Sequence, residues 1–192
     1  MTELENILKK HQSEFAPVIP FNREKDKFLR LDFSAANPVI TPELFNDTSS
    51  FSAYINGRLA AANARYGIGG YAENRTVYSR SPLFNAQKEG EEPRRLHLGI
   101  DIWAKPYTPV AAPLPGIVHS FAFNNDYGDY GATIVLSHQL DGVSFYTLYG
   151  HLSLNSIKNL QEGERMDAGD IIGDIGIPVE NGHWPSHLHF QI

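Results

Sequence analysis

Residues 186–192, Ser-His-Leu-His-Phe-Gln-Ile, form an apolar-flanked stretch that predicts a β-strand carrying two histidines one residue apart. Successive side chains of a strand point to opposite faces, so His187 and His189 project on one side while Leu188 and Phe190 point into a core. The two histidines lie about 6.6 Å apart along such a strand, at a rise of roughly 3.3 Å per residue. A metal ion could lie between them if other residues of the chain complete a site.

The best candidate to complete a metal site is Leu-His-Leu-Gly-Ile-Asp-Ile at residues 96–102. His97, Gly99 and Asp101 alternate with aliphatic residues and therefore share one face of a strand. Fully extended, His97 and Asp101 would lie about 13 Å apart, too far to share a zinc ion at bond lengths of roughly 2.0–2.2 Å. We therefore expect the backbone to bend near Gly99, where the missing side chain also leaves room for an ion. With His189 these residues give a His-Asp-His set, which leaves zinc an open fourth position.

A third motif lies between these two in the chain, Leu-Tyr-Gly-His-Leu-Ser at residues 148–153. The order His-x-Gly-x-Asp, then Gly-His-Leu, then His-x-His resembles the lysostaphin/LytM-type zinc metallopeptidases. Each motif alone is weak, but three in order within a glycine-punctuated β pattern are specific. The resemblance covers roughly the C-terminal half of the chain.

The resemblance implies a zinc metalloendopeptidase, a hydrolase with zinc as its cofactor and cell-wall peptides of peptidoglycan as its substrate. In that family the first His and the Asp of the first motif and the second His of the last motif bind the metal. The metal ligands implied for this chain are His97, Asp101 and His189. The catalytic residues implied beside them are His151 and His187.

The second half of the chain predicts a mainly β fold, α+β for the chain as a whole. From residue 94 onward, short alternating runs are separated by Gly, Pro, Asn and Asp, a texture typical of antiparallel barrels or sandwiches. The resemblance implies the barrel-sandwich hybrid called the duplicated hybrid motif. Strands are predicted within residues 110–118, 117–123, 132–138, 143–152 and 171–177.

The first 90 residues predict an N-terminal, partly helical segment. A capping-box pattern of Thr2 and Glu5 indicates a short opening helix, and apolar residues at helical spacing predict a longer one over residues 51–63. Residues 29–33 alternate like a lone strand. The glycine-rich residues 67–71 lack the spacing of a phosphate-binding loop and predict a flexible turn.

The charged, apolar-free residues 87–93 predict an exposed linker, and we place a domain boundary there, between residues 1–90 and 91–192. We expect the N-terminal segment to cover the cleft of the second domain in part. Just upstream of the linker, Arg75, Tyr78 and Arg80 could orient a substrate carbonyl or carboxylate, or could be solvated loop residues.

A net charge of −6 argues against nucleic acids and anionic membranes as partners. The absence of cysteine excludes thiolate zinc sites. Residues 1–10 lack the pattern of a secretory signal, and no run is apolar enough to span a membrane, so we expect a cytoplasmic protein, or a periplasmic or extracellular one if a signal has been removed. We expect a monomer whose partner is a peptide.

Three alternatives to a metallopeptidase stay open at this point. Sugar-transport phosphocarriers have a similar hybrid β fold and paired histidines, although Asp101 and the His-x-His pair fit a metal better. A non-catalytic LytM-like binding module is a second alternative, but such modules usually lose ligands. The stretch Asn-Gly-His-Trp-Pro at residues 181–185 suggests the third, a cytoplasmic module of a larger multi-enzyme protein.

Overall fold

The computed structural model describes residues 2–88 and 90–192, and β-strands make up most of its regular structure. The α-helices are α1 (Glu3–Lys10), α2 (Pro42–Phe45), α3 (Thr48–Ala61) and α4 (Leu154–Ile157), and short 3-10 turns span Gln12–Glu14, Thr76–Arg80 and Pro82–Phe84. The strands are β1 (Phe28–Leu31), β2 (Tyr66–Gly69), β3 (Glu73–Asn74), β4 (Leu96–His97), β5 (Ile100–Trp103), β6 (Pro109–Ala111), β7 (Gly116–Asn124), β8 (Gly131–Leu140), β9 (Val143–Leu152), β10 (Arg165–Met166), β11 (Ile171–Asp174) and β12 (His187–Gln191).

An eight-stranded sheet in the order β1-β2-β5-β12-β9-β8-β7-β10 forms the frame of the molecule. The β1–β2 pair is parallel, and the other neighbouring pairs of this sheet are antiparallel. Two-stranded sheets pair β6 with β11 and β3 with β4. The mainly β class is therefore confirmed, while the described residues form an open mixed sheet and no closed barrel.

Two predictions for the N-terminal segment are wrong, and the glycines explain why. Residues 67–71 are not a flexible turn, because Tyr66–Gly69 is strand β2, and the strand near residues 29–33 is not alone, because β1 pairs with β2. A Cβ atom on Gly67 would lie 2.6 Å from Cδ1 of Leu31, and one on Gly69 would lie 2.6 Å from the ring of Trp103. Glycine at both positions lets these large side chains pack directly on the strand.

Both predicted helices are confirmed. Helix α1 begins with the full capping box, in which the Thr2 hydroxyl accepts from the Glu5 amide and the Glu5 carboxylate accepts from the Thr2 amide. Helix α3 starts at Thr48, because the Asp47 carboxylate accepts from the amide of Ser50 and caps the first turn. One face of α3 is buried, and its residues recur every four positions: Phe51, Ile55 and Leu59.

Apolar side chains form two buried clusters that meet at the central strands. One is built mainly from the second half of the chain, with Ile19 and Tyr66 from the first half, and it includes Leu188 of β12, with Phe190 packed against it, as the alternation of the last strand predicts. The other combines residues of the first half, such as Phe33 and Phe51, with Trp103 of β5 and Trp184. The first half therefore packs on the strands that carry the sequence motifs.

The predicted linker is exposed where it is described, at residues 87–88 and 90–93, and Glu89 lies outside the described residues. Strands β1 and β2 precede this linker but belong to the same sheet as β5 and β12. The boundary between residues 1–90 and 91–192 stays a prediction. Among the described helices, none combines the length and the apolar composition needed to cross a bilayer.

Candidate active site

Three buried side chains from three strands converge on one point. His97 ends β4, Asp101 lies in β5, and His189 lies in β12 directly opposite Asp101 in the antiparallel register. Nε2 of His97 lies 3.1 Å from Oδ1 of Asp101 and 3.0 Å from Nδ1 of His189, and Nδ1 of His189 lies 3.0 Å from Oδ1 of Asp101. The structure therefore brings together the three residues that the sequence predicts as metal ligands.

The outer hydrogen bonds of this cluster favour tautomers in which the inner nitrogens can bind a metal. The ring of His97 donates from Nδ1 to the carbonyl of Gly70 at 2.9 Å, so its Nε2 presents a lone pair to the cluster. The ring of His189 has Nε2 3.4 Å from Oε1 of Gln191, which leaves Nδ1 as the inner atom. Two atoms bound to a tetrahedral zinc at about 2.0–2.1 Å lie roughly 3.3 Å apart, close to the spacing observed. In these tautomers three electron-pair donors face one another at this spacing, an arrangement that a cation among them would stabilise, so the set fits zinc.

The expected bend at Gly99 separates β4 from β5 and positions the first motif. A Cβ atom on Gly99 would lie 2.5 Å from Cε1 of His189 and 2.8 Å from the carbonyl oxygen of Phe190. The absence of a side chain therefore lets the His189 ring lie directly against the bend. This close approach turns His97 and Asp101 toward the same point.

Arg75 holds the carboxylate of Asp101 from the side opposite the two histidines. Its Nη1 donates to Oδ2 of Asp101 and its Nε donates to Oε2 of Glu73 at 2.6 Å, so Arg75 is a buried partner of the cluster and not a solvated loop residue. Burial alone would raise the pKa of Asp101, but the charge of Arg75 holds that pKa well below its usual range. The carboxylate stays ionised, and its Oδ1 faces the histidine nitrogens.

His151 and His187 lie together beside this cluster, with ring centroids 4.2 Å apart. His151 donates from Nδ1 to the carbonyl of Asn181 at 2.8 Å, and His187 donates from Nδ1 to the carbonyl of Pro185 at 2.7 Å. Each ring therefore keeps Nε2 as a proton acceptor, and Nε2 of His187 lies 3.8 Å from Oδ1 of Asp101. Burial lowers the pKa of His187 to about 4 and lowers the pKa of His151 well below its usual value, so both are neutral at neutral pH.

A β-bulge aims His151 at the site. The β8–β9 register runs from Ala132 opposite Leu152 to Ile134 opposite Tyr149, so two residues of β9 oppose one of β8. His151 has a φ of 64°, a left-handed conformation that costs a non-glycine residue free energy. Its amide donates to the carbonyl of Tyr130 at 2.7 Å, which holds this conformation.

Aromatic side chains that the sequence did not single out surround the histidines. Trp103 stacks on His187 with ring centroids 5.4 Å apart, Trp184 meets His151 edge to face, and Tyr130 lies 5.0 Å from His189. In the sequence, Trp184 lies only three residues before His187. That proximity to a motif is the signal by which the sequence could have indicated a role for it near the site. Arg80 lies farther out, over the ring of Trp184 and bonded to Thr48 and Tyr127.

The sequence profile of peptidase family M23 matches residues 95–192, about half of the chain, and this match includes the three motifs. The DD-carboxypeptidase/endopeptidase Mpg of Neisseria meningitidis serogroup B is 33% identical over 125 residues, which cover 64% of this chain and 26% of that protein. The same protein of Neisseria gonorrhoeae matches equally. The chain spans about a quarter of the length of these curated relatives.

Solved structures of peptidases are similar over about half of the chain. The catalytic domain of the antimicrobial peptidase lysostaphin from Staphylococcus simulans is 33% identical, covers 50% of this chain and 66% of that one, and gives a TM-score of 0.42. A zinc-containing peptidase from Vibrio cholerae is 23% identical, covers 56% of this chain and 30% of that one, and gives a TM-score of 0.40. The family match does not favour the phosphocarrier alternative.

Proposed function

Because the chain belongs to peptidase family M23, we propose that it is a zinc metalloendopeptidase that hydrolyses amide bonds of peptides. The observation that carries this proposal is the set of electron-pair donors about 3 Å apart, with Oδ2 of Asp101 neutralised by Arg75. We assign the metal to His97, Asp101 and His189. Two imidazoles and one carboxylate match the ligand types of catalytic zinc sites, which keep one position open for chemistry.

Zinc bound there supplies a Lewis acid that polarises a carbonyl and lowers the pKa of water. The chain's own contribution is proton transfer by His151 and His187. Because each ring donates from Nδ1 and is neutral at neutral pH, its Nε2 can accept a proton. One of them accepts the proton of the attacking water, and the resulting imidazolium can donate to the oxyanion or to the leaving amine. Their Nδ1 bonds to backbone carbonyls fix the tautomer and the direction of each ring during this transfer.

The proposed substrate is a cell-wall-type peptide of the peptidoglycan kind. The sequence resemblance implies it, and the names of the relatives, a DD-carboxypeptidase/endopeptidase and an antimicrobial peptidase, support a peptide substrate. The chain's negative charge also disfavours polyanions as the molecules it acts on. A peptide amide placed against Nε2 of His151 and His187 meets the requirement that a general base be within hydrogen-bond reach.

The experiment that tests this function separates the two histidines of β12, which share a face but have different proposed roles. We expect His189→Ala to lose zinc, because it removes a ligand, and to lose turnover with it. We expect His187→Ala to keep zinc while turnover falls by about 10²- to 10⁴-fold, the usual contribution of a general acid or base. Zinc content by elemental analysis is measured beside hydrolysis of a glycine-containing peptide for each variant.

His119→Ala serves as the matched control, because this histidine is exposed on β7, away from the cluster. It should leave both zinc content and turnover unchanged. A wild-type protein that neither contains zinc nor takes it up on titration would refute the proposed function. A His189→Ala protein with full zinc content, or a His187→Ala protein without zinc, would refute the ligand assignment.

A further inference from the structure

A cavity of about 200 Å³ opens beside the histidine cluster, and its wall includes His151, His187 and His189. Much of the wall that faces these histidines is aromatic, but three charged residues outside the cluster also line the cavity: Arg75, Arg94 and Asp129. Neither arginine takes part in the proposed proton transfer. The cavity therefore holds charged groups that the chemistry described above does not use.

Arg75 is 3% exposed, and one nitrogen of its guanidinium has no hydrogen-bond partner among the described residues. Nε donates to Glu73 and Nη1 donates to Asp101, which leaves Nη2 as that nitrogen. The centre of the guanidinium lies 5.9 Å from the ring centroids of Phe33 and Trp103, which line the same cavity. Buried N–H groups are normally paired, so Nη2 is a donor that a ligand in this cavity can use.

Arg94 brings a positive charge to the same cavity. Its guanidinium lies over the ring of Phe84 and donates from Nη2 to the carbonyl of Leu83. Within the described part of the chain, no carboxylate forms an ion pair with it. Burial raises the pKa of the Tyr130 phenol and the charge of Arg94 opposes that rise, so this charge acts on a ring 5.0 Å from that of His189. The cation therefore acts at the proposed active site.

Asp129 gives the wall of the cavity a negative side. It lies in the loop between β7 and β8, where its Oδ1 accepts from the amide of Tyr130 at 2.7 Å. Its charge repels an anion from this side, whereas the charge of Arg94 attracts one to the other. Arginine suits carboxylates in particular, because its N–H groups form charge-assisted hydrogen bonds with them. The wall therefore favours a ligand that places a carboxylate at the arginines.

Resting on the proposed function, we infer that this cavity binds a carboxylate of the peptide substrate next to the amide bond that is cleaved. Nη2 of Arg75 donates to this carboxylate, and the charge of Arg94 favours it over a neutral group. Because Arg75 also binds Asp101, a proposed metal ligand, the recognised carboxylate lies close to the metal site. A peptide of the proposed peptidoglycan kind can supply the group from its C-terminus or from an acidic side chain.

Binding of matched anionic and neutral probes tests this inference without turnover. One pair differs at the C-terminus, N-acetyl-alanyl-alanine and its amide, and the other differs in a side chain, N-acetyl-alanyl-glutamate amide and N-acetyl-alanyl-glutamine amide. Each probe is N-methylated at its internal amide to resist hydrolysis. Both tryptophans of the chain, Trp103 and Trp184, line the cavity, so a fluorescence titration of the full-length protein as purified reports binding.

In at least one of the two pairs, we expect the anionic probe to bind about tenfold or more tightly than its neutral partner. This is the gain expected when the acceptor of a buried hydrogen bond becomes charged. The pair that shows the advantage identifies the source of the carboxylate, terminal or side-chain. Equal affinities within both pairs overturn the inference.

Arg94→Gln tests the contribution of the charge. Arg94 is exposed, and we expect its replacement to lower the advantage of the anionic probe by about threefold or more. Arg95→Gln is the matched control, because Arg95 also donates to a carbonyl of this segment, that of Phe84 at 3.0 Å, but does not line the cavity. It removes the same charge one residue away and should keep the wild-type advantage. Equal effects of the two substitutions overturn the inference.

Arg75→Lys tests the contribution of Nη2. Lysine keeps a positive charge beside Asp101 and Glu73 but offers one compact ammonium group in place of the guanidinium fork. We expect the advantage of the anionic probe to fall to about threefold or less, in protein whose zinc content is measured alongside. A folded Arg75→Lys protein with the full advantage overturns the inference. If this variant does not fold, the comparison of Arg94→Gln with Arg95→Gln decides.

The same titrations in chelator separate the arginines from the metal as the group that binds the carboxylate. A carboxylate held by the arginines keeps an advantage that depends on Arg94, whereas one bound to zinc loses its advantage, which overturns the inference. If the inference fails in a protein that holds zinc and hydrolyses peptides, the proposed function stands. An advantage that depends on Arg94 in a protein without zinc or turnover overturns the proposed function instead.

Discussion

Arg75 and Asp101 form a buried ion pair that joins the two halves of the chain at the cluster of histidines. The guanidinium Nη1 donates to Oδ2 of Asp101, and the two residues are 3% and 2% exposed. Without Arg75, Asp101 would be a buried carboxylate with no arginine or lysine partner, and a buried charge without a partner is costly. The pair therefore ties the stability of the metal-free protein to a residue of the N-terminal half.

We predict that Arg75→Met lowers the free energy of unfolding of the metal-free protein by about 3–5 kcal/mol, the usual cost of removing one partner of a buried pair. The loss should be smaller with zinc present, because a bound cation compensates the charge of Asp101 in place of the guanidinium. Urea unfolding in chelator and in zinc measures both values. An equal loss in the two conditions would contradict this prediction.

Arg65→Met is the matched control for that experiment. It removes an ion pair of the same residue types, because Nη1 of Arg65 lies 2.9 Å from Oδ2 of Asp26, but the Arg65 side chain is 51% exposed. Exposed pairs contribute less than about 1 kcal/mol, so this variant should unfold almost as the wild type does, with or without zinc.

Gly99→Ala should weaken zinc binding by at least about tenfold while the protein stays folded. A methyl group there meets the His189 ring at 2.5 Å and the carbonyl of Phe190 at 2.8 Å, so the ring must move out of the cluster. Shifts of groups that orient a ligand typically cost about 10- to 100-fold in metal affinity. Competition titration with a chelating dye measures the affinity.

Gly57→Ala is the matched control for Gly99→Ala, and it should stabilise the protein without changing its zinc affinity. This glycine lies inside α3, and apart from its chain neighbours and the adjacent helix backbone no described atom lies within 4 Å of the position that its Cβ would take. Alanine there should raise the free energy of unfolding by about 0.5–1 kcal/mol through helix propensity alone. Its zinc affinity should equal that of the wild type; a loss at both positions would show that the effect of Gly99→Ala is not local.

The losses of kcat caused by His151→Ala and His187→Ala should not multiply in the double variant. Their rings lie 4.2 Å apart, and both are proposed to act on the same proton transfer, so each single variant already removes the function of the pair. We expect each to lower kcat by about 10²- to 10⁴-fold and the double variant to lose less than the product of the two. Turnover of one peptide by all four proteins measures this, with zinc content confirmed for each. A fully multiplicative loss would indicate independent roles.

His138 should make stability depend on pH away from the active site. Its ring donates from Nδ1 to the carbonyl of Pro115 at 2.9 Å and bonds through Nε2 to the hydroxyl of Thr147 at 2.7 Å, and burial lowers its pKa. The unfolded chain therefore binds a proton at higher pH than the folded chain does, so stability is lost as the pH falls below about 6.5, the usual pKa of histidine.

Replacing His138 with glutamine removes that titration, so the fall in unfolding free energy between pH 7 and pH 5 should be shallower in His138→Gln than in the wild type. Urea unfolding at pH 7, 6 and 5 gives the slopes. His119→Gln changes an exposed histidine of the neighbouring strand β7 and should keep the wild-type slope. Identical slopes for His138→Gln and the wild type would contradict the prediction.

The parts of the fold that depend on local pattern could be predicted from the sequence. Alternation identified the strand of Leu188 and Phe190, the capping residues identified α1, and the distance between His97 and Asp101 required the bend at Gly99. These features depend on residues close together in the chain, where propensity and spacing carry the information.

The parts that depend on distant partners could not be predicted. Strand β2 contains two glycines, which weaken an isolated strand, and it exists because Leu31 and Trp103 pack on it from other strands. Arg75 looked like an exposed loop residue because its partner Asp101 is 26 positions away. The aromatic wall that faces the histidines comes from several separate segments, so no local pattern predicts it.

The position of β12 in the sheet has a consequence for how the molecule folds. This strand lies between β5 and β9, so Ile102 and Tyr149 cannot belong to one continuous sheet until Leu188 and its neighbours have entered. Pairings between segments so far apart in sequence close large loops and form slowly. Ribosomal synthesis delivers residues 187–191 after both neighbouring strands, so the sheet is completed after translation of these residues, and His189 reaches His97 and Asp101 only in that late step. In a nascent chain His189 therefore stays apart from His97 and Asp101 until β12 has entered the sheet, so assembly of the proposed metal site is coupled to completion of that sheet.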